Sequence, residues 1–138
     1  MLRTTGFRAA AAIPPCRFVV LAATAYHLAV ADGTNLPIGV SPEGSSAPPI
    51  GTTPADTTDE TPLAAVGEAV FCYSVGDVCP VTAGATVAAG DRLVSAADGR
   101  AVPLSGSGVR YVGGVALEGG VAGDRVRMLV LPHVQSAS

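Results

Sequence analysis

Asp124-Arg125-Val126-Arg127-Met128-Leu129-Val130-Leu131 is the stretch whose pattern decides the fold class. Val126, Met128 and Val130 fall on one side of an extended chain, and Arg125 and Arg127 fall on the other. That is the period-two pattern of a strand with one face in a core and one face in water. Working outward, Arg17-Phe18-Val19-Val20-Leu21, Tyr26 to Val30 and Leu36 to Val40 predict further short strands of a meander, with a turn at Asp32-Gly33. Val70 to Val75 is apolar on both faces, which suits the middle of a sheet or a subunit contact. With 17 Gly, 11 Pro, no Trp and 14% charged residues in 138, short strands and tight turns are favoured over long helices. The chain therefore reads as all-β, a small single-domain barrel or sandwich that buries roughly two-thirds of its unfolded surface.

Three segments break this pattern. Residues 1–16 are basic and Ala-rich and end in Pro14-Pro15, which predicts an extended arm outside the β-domain of residues 17–132. From Ser41 to Val66 the chain is rich in Pro, Ser and Thr, and its only charges are Glu43, Asp56, Asp59 and Glu60. A loop of that length inside a compact domain is usually functional or disordered. Residues 133–138 carry no pattern and read as a tail. Charge is thus segregated, with three Arg and no acid in residues 1–17 against four acids and no base in 41–66.

An internal echo suggests two similar halves. Leu28-Ala29-Val30-Ala31-Asp32-Gly33, Gly39-Val40-Ser41-Pro42-Glu43-Gly44 and Gly67-Glu68-Ala69-Val70 run in the same order as three later stretches. These are Val94-Ser95-Ala96-Ala97-Asp98-Gly99, Gly114-Val115-Ala116-Leu117-Glu118-Gly119 and Gly123-Asp124-Arg125-Val126. The echo predicts two superposable strand-turn-strand units about a pseudo-twofold axis.

Most chemistries lack their residues. All eight basic residues are Arg, at 3, 8, 17, 92, 100, 110, 125 and 127, so no Lys is present for a phosphate loop, a Schiff base or a lipoyl or biotinyl carrier. A net charge of −3 offers no footprint for nucleic acid or an anionic membrane. Cys16, Cys72 and Cys79 lack zinc-site spacing and read as small buried thiols, with a Cys72–Cys79 bridge across Gly76-Asp77 as the alternative. His27 and His133 have no partners at metal-ligand spacing, and no serine lies in a nucleophile elbow. Gly106-Ser107-Gly108 is not followed by the glycine a dinucleotide site needs, because position 111 is Tyr. Asp32, Asp91, Asp98 and Asp124 adjoin glycines, where a carboxylate caps its own turn. Without Trp, and with Tyr26, Tyr73 and Tyr111 alone, an aromatic platform for sugars is not expected. Neither catalytic, cofactor-binding nor metal-binding residues are expected, nor a small-molecule substrate.

The stretches Ile13-Pro14-Pro15-Cys16-Arg17-Phe18-Val19-Val20, Ile38-Gly39-Val40, Val81 to Leu93, Asp98-Gly99-Arg100-Ala101-Val102, Val112 to Leu117 and Ala122 to Val126 resemble the small capsid decoration, or cement, proteins of tailed bacteriophages. The resemblance spans residues 13–131. The longer Pro-rich insertion and the bulky Phe71-Cys72-Tyr73 depart from that family's pattern. The resemblance implies a non-enzymatic homotrimer on the outer surface of the virion head, made in the host cytoplasm and clamping neighbouring copies of the major capsid protein. Arg3, Phe7, Arg8, Ile13 and Arg17 of the arm, with Asp56, Asp59 and Glu60 of the acidic loop, are then the expected capsid or subunit contacts. Phe7 and Ile13 would anchor the arm, and deletion of residues 1–12 would leave the domain folded. The alternative is an exported bacterial surface domain. In that reading residues 1–25 are a cleaved signal ending in Ala23-Thr24-Ala25, although Pro14-Pro15 and Arg17 interrupt its apolar run.

Overall fold

The computed structural model describes residues 4–42, 67–105 and 108–137. Its described residues form ten strands and no helix, arranged as two sheets in a sandwich-like domain. The first sheet holds β1 (Thr4–Ala9), β2 (Phe18–Leu21), β3 (His27–Val30), β4 (Gly39–Val40) and β5 (Ala69–Cys72), in the order β4-β2-β3-β1-β5. The second holds β6 (Val78–Thr82), β7 (Arg92–Ser95), β8 (Ala101–Pro103), β9 (Gly108–Ala116) and β10 (Arg125–Ala137), in the order β6-β10-β9-β7-β8.

Both sheets curl until their edges meet. In the first, Val40 and Tyr73 exchange backbone hydrogen bonds of 3.1 and 2.8 Å, linking the β4 edge to the end of β5. In the second, Ala83 beyond β6 bridges Ala101 of β8, and the Gly84 N–H donates to the Ala101 carbonyl at 2.7 Å. Such pairing satisfies edge groups that would otherwise stay exposed. Val70 to Val75 thus lies at an edge rather than mid-sheet, and the edge is covered by the chain's own β4.

Each sheet has its own apolar cluster. Ile13, Val19, Leu28, Ala9 and Cys72 fill the first, while Phe18, Val40, Val81, Leu93, Val126, Met128 and Val130 belong to the second. The alternation on β10 is observed: Val126, Met128 and Val130 are buried, Arg127 is exposed and Arg125 is half-buried. Phe18 belongs to the first sheet by backbone and to the second cluster by side chain, so it joins the two. Gly113 makes room for it, since a Cβ there would lie 2.2 Å from the Phe18 ring.

Three expectations are corrected. Residues 4–9 are not a free arm: β1 pairs in parallel with β3 and antiparallel with β5, inside the first sheet. The Thr4–Ala9 stretch alternates, with Phe7 half-buried, Arg8 exposed and Ala9 buried, and Pro14-Pro15 fall after the strand in the connection to β2. Deleting residues 1–12 would therefore remove a sheet strand, and loss of residues 1–25 as a signal would remove β1 and β2 together. Residues 133–137 are not a tail either, because β10 continues through them against β9. Pro132 sits where the β10–β9 register shifts, between Val130 and His133, a bulge position at which a residue without an N–H is tolerated.

The third correction concerns the two halves. Asp32-Gly33 and Asp98-Gly99 do form the same local turn, with the Asp32 Oδ1 accepting from the Thr34 N–H and the Asp98 Oδ1 from the Arg100 N–H. Yet β7 and β8 pair with each other across their turn, whereas β3 and β4 both pair with β2 and never with each other. The echo thus records turn chemistry and not two superposable units. A different repeat is present: Gly76-Asp77, Gly90-Asp91 and Gly123-Asp124 each precede a strand. In each, the glycine has φ near +90° and the aspartate Oδ2 accepts from the N–H three residues earlier, on Ser74, Ala88 and Val121.

Edge closure gives a direct test. A Cβ on Gly39 would lie 1.8 Å from the Tyr73 carbonyl oxygen, so Gly39→Ala forces β4 off its partner and should cost at least about 3 kcal/mol. Gly76 has open space around it and only its φ of +90° to defend, so Gly76→Ala should cost about 1–2 kcal/mol. Chemical denaturation of the two variants should separate them in that order, and equal losses would contradict the closure.

Candidate protein-contact surface

The expected contact residues divide sharply once placed. Ile13 is fully buried in the first cluster, and Arg17 is 5% exposed, so neither is available to another molecule. Phe7 is half-buried against the same cluster. Arg3, Asp56, Asp59 and Glu60 lie outside the described residues. Arg8 alone among the described ones presents its side chain outward.

The two basic residues still relate to the acidic segment, at its two ends. Arg8 Nη1 donates to the Gly67 carbonyl at 2.9 Å, where the described chain resumes. The Arg17 backbone is clasped by Ser41, whose Oγ accepts the Arg17 N–H at 2.9 Å and whose N–H donates to the Arg17 carbonyl at 2.8 Å, just before the acidic stretch. The Arg17 guanidinium turns inward to the second sheet and donates to the Asp98 carbonyl at 3.1 Å, with the Asp98 carboxylate at 3.8 Å. Of the two guanidiniums, that of Arg8 lies at one end of the acidic segment and that of Arg17 is engaged by Asp98.

The side chains most open to a partner come from elsewhere. At the tip of the β2–β3 hairpin, Tyr26 is 73% exposed and adopts φ +60°, in the left-handed region, and Leu21 beside the turn is also exposed. The turn is held by the Ala22 N–H, which donates to the His27 carbonyl at 2.8 Å, by the Arg8 N–H, which donates to the Tyr26 carbonyl at 2.8 Å, and by the His27 ring, whose Nδ1 lies 2.9 Å from the Ala25 carbonyl. A left-handed conformation costs an L-residue roughly 1–2 kcal/mol, and an aromatic ring left in water contributes no burial to offset it. Cys16 offers the contrast, since its φ of +55° accompanies a fully buried side chain. Strain of this kind collects at sites used for something other than folding.

A second apolar feature crosses the outside of the second sheet. Leu129 pairs with Val78 on one side and Val115 on the other, and Val78 is 52% exposed. Sequence reasoning missed these residues because a strand pattern shows that two faces exist without showing what covers the outer one. Tyr26 carried a usable signal, being an aromatic directly after the small-residue run Ala22-Ala23-Thr24-Ala25 that makes the hairpin turn.

The polar side chains have structural employment. Asp32 is capped by Thr34, whose hydroxyl and N–H hold the Asp32 carboxyl below its ordinary range. Asp77, Asp91, Asp98 and Asp124 likewise accept turn hydrogen bonds. Cys16, Cys72 and Cys79 are buried, and Cys72 and Cys79 belong to different apolar clusters. Among the described residues no three His, Cys, Asp or Glu side chains gather in a metal-binding group.

No family model matches this chain, and neither does any curated protein. A solved structure does: the head fiber gp8.5 N base of bacteriophage phi29, at a TM-score of 0.62 and 19% identity, covering 94% of this chain and 95% of that one. At that identity the likeness shows a shared fold.

If Tyr26 is held strained for contact and not for folding, Tyr26→Gly should keep the domain intact and leave its stability unchanged or raised by up to about 1 kcal/mol. Thermal unfolding followed by circular dichroism reads this. A loss beyond about 2 kcal/mol would make Tyr26 a folding residue.

Proposed function

We propose that this protein is a non-enzymatic structural component of a tailed-phage virion, which binds the outer surface of the head as a homotrimer and stabilises contacts between major capsid protein subunits. The observation that carries the reading is the fold correspondence with a phage head fiber base over nearly the whole of both chains. It is supported by exposed apolar side chains on the paired β2–β3 hairpin, with Leu21 at the end of β2 and Tyr26 in the turn as the sharpest examples. Exposed aromatics on a rigid support are the residues that dominate protein interfaces, because little ordering entropy is lost when they dock.

The mechanism is cohesive. A head repeats each subunit contact many times, so a protein that bridges neighbouring subunits gains from every copy it touches. Each contact can then be weak. The protein itself needs only to keep its shape, and two closed sheets with buried clusters supply that. A second reading, the foot of a projecting fibre, takes its support from the matched protein being the base of one. Electron microscopy of decorated heads separates the two, as low caps or as spikes.

The test is to mix the purified protein with undecorated expanded heads and measure co-sedimentation. Wild-type protein should bind saturably and raise the temperature at which heads release DNA. Tyr26→Gly and Leu21→Ser should weaken binding by at least tenfold while remaining folded, as expected when a hot-spot side chain is lost. Heads that stay bare at saturating wild-type protein would end this reading.

A further inference from the structure

We propose that the outer half of the β9–β10 ribbon, residues 108–112 with 133–137, is the surface through which copies of this chain associate with one another. The proposal deepens the trimeric part of the function proposed above and rests on it for its biological setting.

The ribbon projects past the rest of its sheet. β6 pairs with β10 only from Arg125 to Leu129, and backbone bonds between the Gly76-Asp77 turn and Val130 extend that cover by one residue. β7 reaches β9 only as far as Val112. From Leu131 to Ala137, β10 therefore has β9 along one side and, among the described residues, no strand along the other. A two-stranded ribbon is marginally stable in water by itself, and an open edge is a template for another strand.

The two faces of the ribbon differ. Directly paired residues share a face, so Val134 lies with Tyr111 and Ser136 with Val109 on one side, while Gln135 lies with Arg110 on the other. Val109 and Val134 are 58% and 56% exposed, and Leu131 beside the bulge is exposed as well. The first face carries no charge. The charged residue on the opposite face, Arg110, is turned onto the Ser105 carbonyl at 3.0 Å.

These features select a second copy over a foreign protein. An uncharged face has no pattern with which to choose a partner of different chemistry, but it meets its own copy without like-charge repulsion. Val109, Leu131 and Val134 are only three exposed apolar side chains, and a stable one-to-one complex buries roughly 800 Å² per partner. Backbone hydrogen bonds along the open edge add to that contact, and closed symmetry repeats it in every copy.

The experiment is sedimentation velocity of the full chain without heads, comparing wild type, Val134→Asp, Val109→Asp and Leu117→Asp. Leu117 is also exposed but lies outside the ribbon. Wild type and Leu117→Asp should sediment as the same oligomer, and the two ribbon variants should associate at least tenfold more weakly. Should the aspartates disturb folding, Val134→Cys carries the test: oxidation should cross-link copies, since the three native thiols are buried. A monomeric wild type, unchanged association in Val134→Asp, or an oligomer that Val134→Cys fails to cross-link would each overturn the proposal. So would a monomer that binds heads and loses them on Val134→Asp, because the ribbon would then face the capsid. A wild type that associates through the ribbon yet leaves heads bare sustains this proposal and removes the functional one.

Discussion

Backbone groups at the edges of a sheet have to find partners, and away from the outer half of the β9–β10 ribbon this chain supplies them within the same sheet. The Val40–Tyr73 exchange closes the first sheet and the Gly84–Ala101 bond closes the second. Each bond contributes only about 0.5–1.5 kcal/mol net, but leaving a buried group unpaired costs more than making the bond gains. Closure explains the positions of the most demanding glycines. Gly39 allows the Tyr73 backbone to approach, and Gly113 yields space to the Phe18 ring that ties the first sheet to the second cluster. It also explains why β1 belongs to the domain: without it, β3 and β5 would each expose a flank to water.

How much of this could be read in the sequence follows from how local each determinant is. The alternation along Arg125 to Val130 depends on one strand meeting one core, so it was legible, as were β2 and β3. The aspartates beside glycines were legible as turn caps for the same reason, since the partner lies two or three residues away. β1 was not, because Thr4 to Ala9 is short, holds a glycine and runs into Ala10-Ala11-Ala12 and Pro14-Pro15, so it looks like a linker until two neighbouring strands are known to flank it. Pro132 hid the continuation of β10, since a proline reads as a strand end unless a bulge is foreseen. The two-half echo misled because identical Asp-Gly turns serve a hairpin in one place and a crossover in the other. Of the contact residues expected in the arm, Ile13 and Arg17 proved to be interior, and only their tertiary surroundings could have shown it.

The core and the surface therefore make opposite demands on similar residues. Inside, valines and small side chains fill two clusters. Outside, Tyr26, Leu21 and the valines of the β9–β10 ribbon are held in water by strands that do not need them there. A protein that acts by cohesion requires that division, with a rigid interior that spends no entropy on docking and an exterior whose apolar groups await a partner. The Gly-Asp turns serve the same end by fixing where strands begin without large side chains of their own.

The claim beneath all of this is that the N-terminal strand and the β4–Tyr73 closure are integral to the domain. Native-state amide hydrogen exchange on the free protein tests it most directly. The amides of Ala9, Ala10, Val40 and Tyr73, each hydrogen-bonded across a strand boundary, should exchange only through global unfolding, at the same free energy as the amides where Gly114 to Ala116 of β9 pairs with Met128 to Val130 of β10. Exchange of those four at loop-like rates, while the second sheet stays protected, would contradict the account.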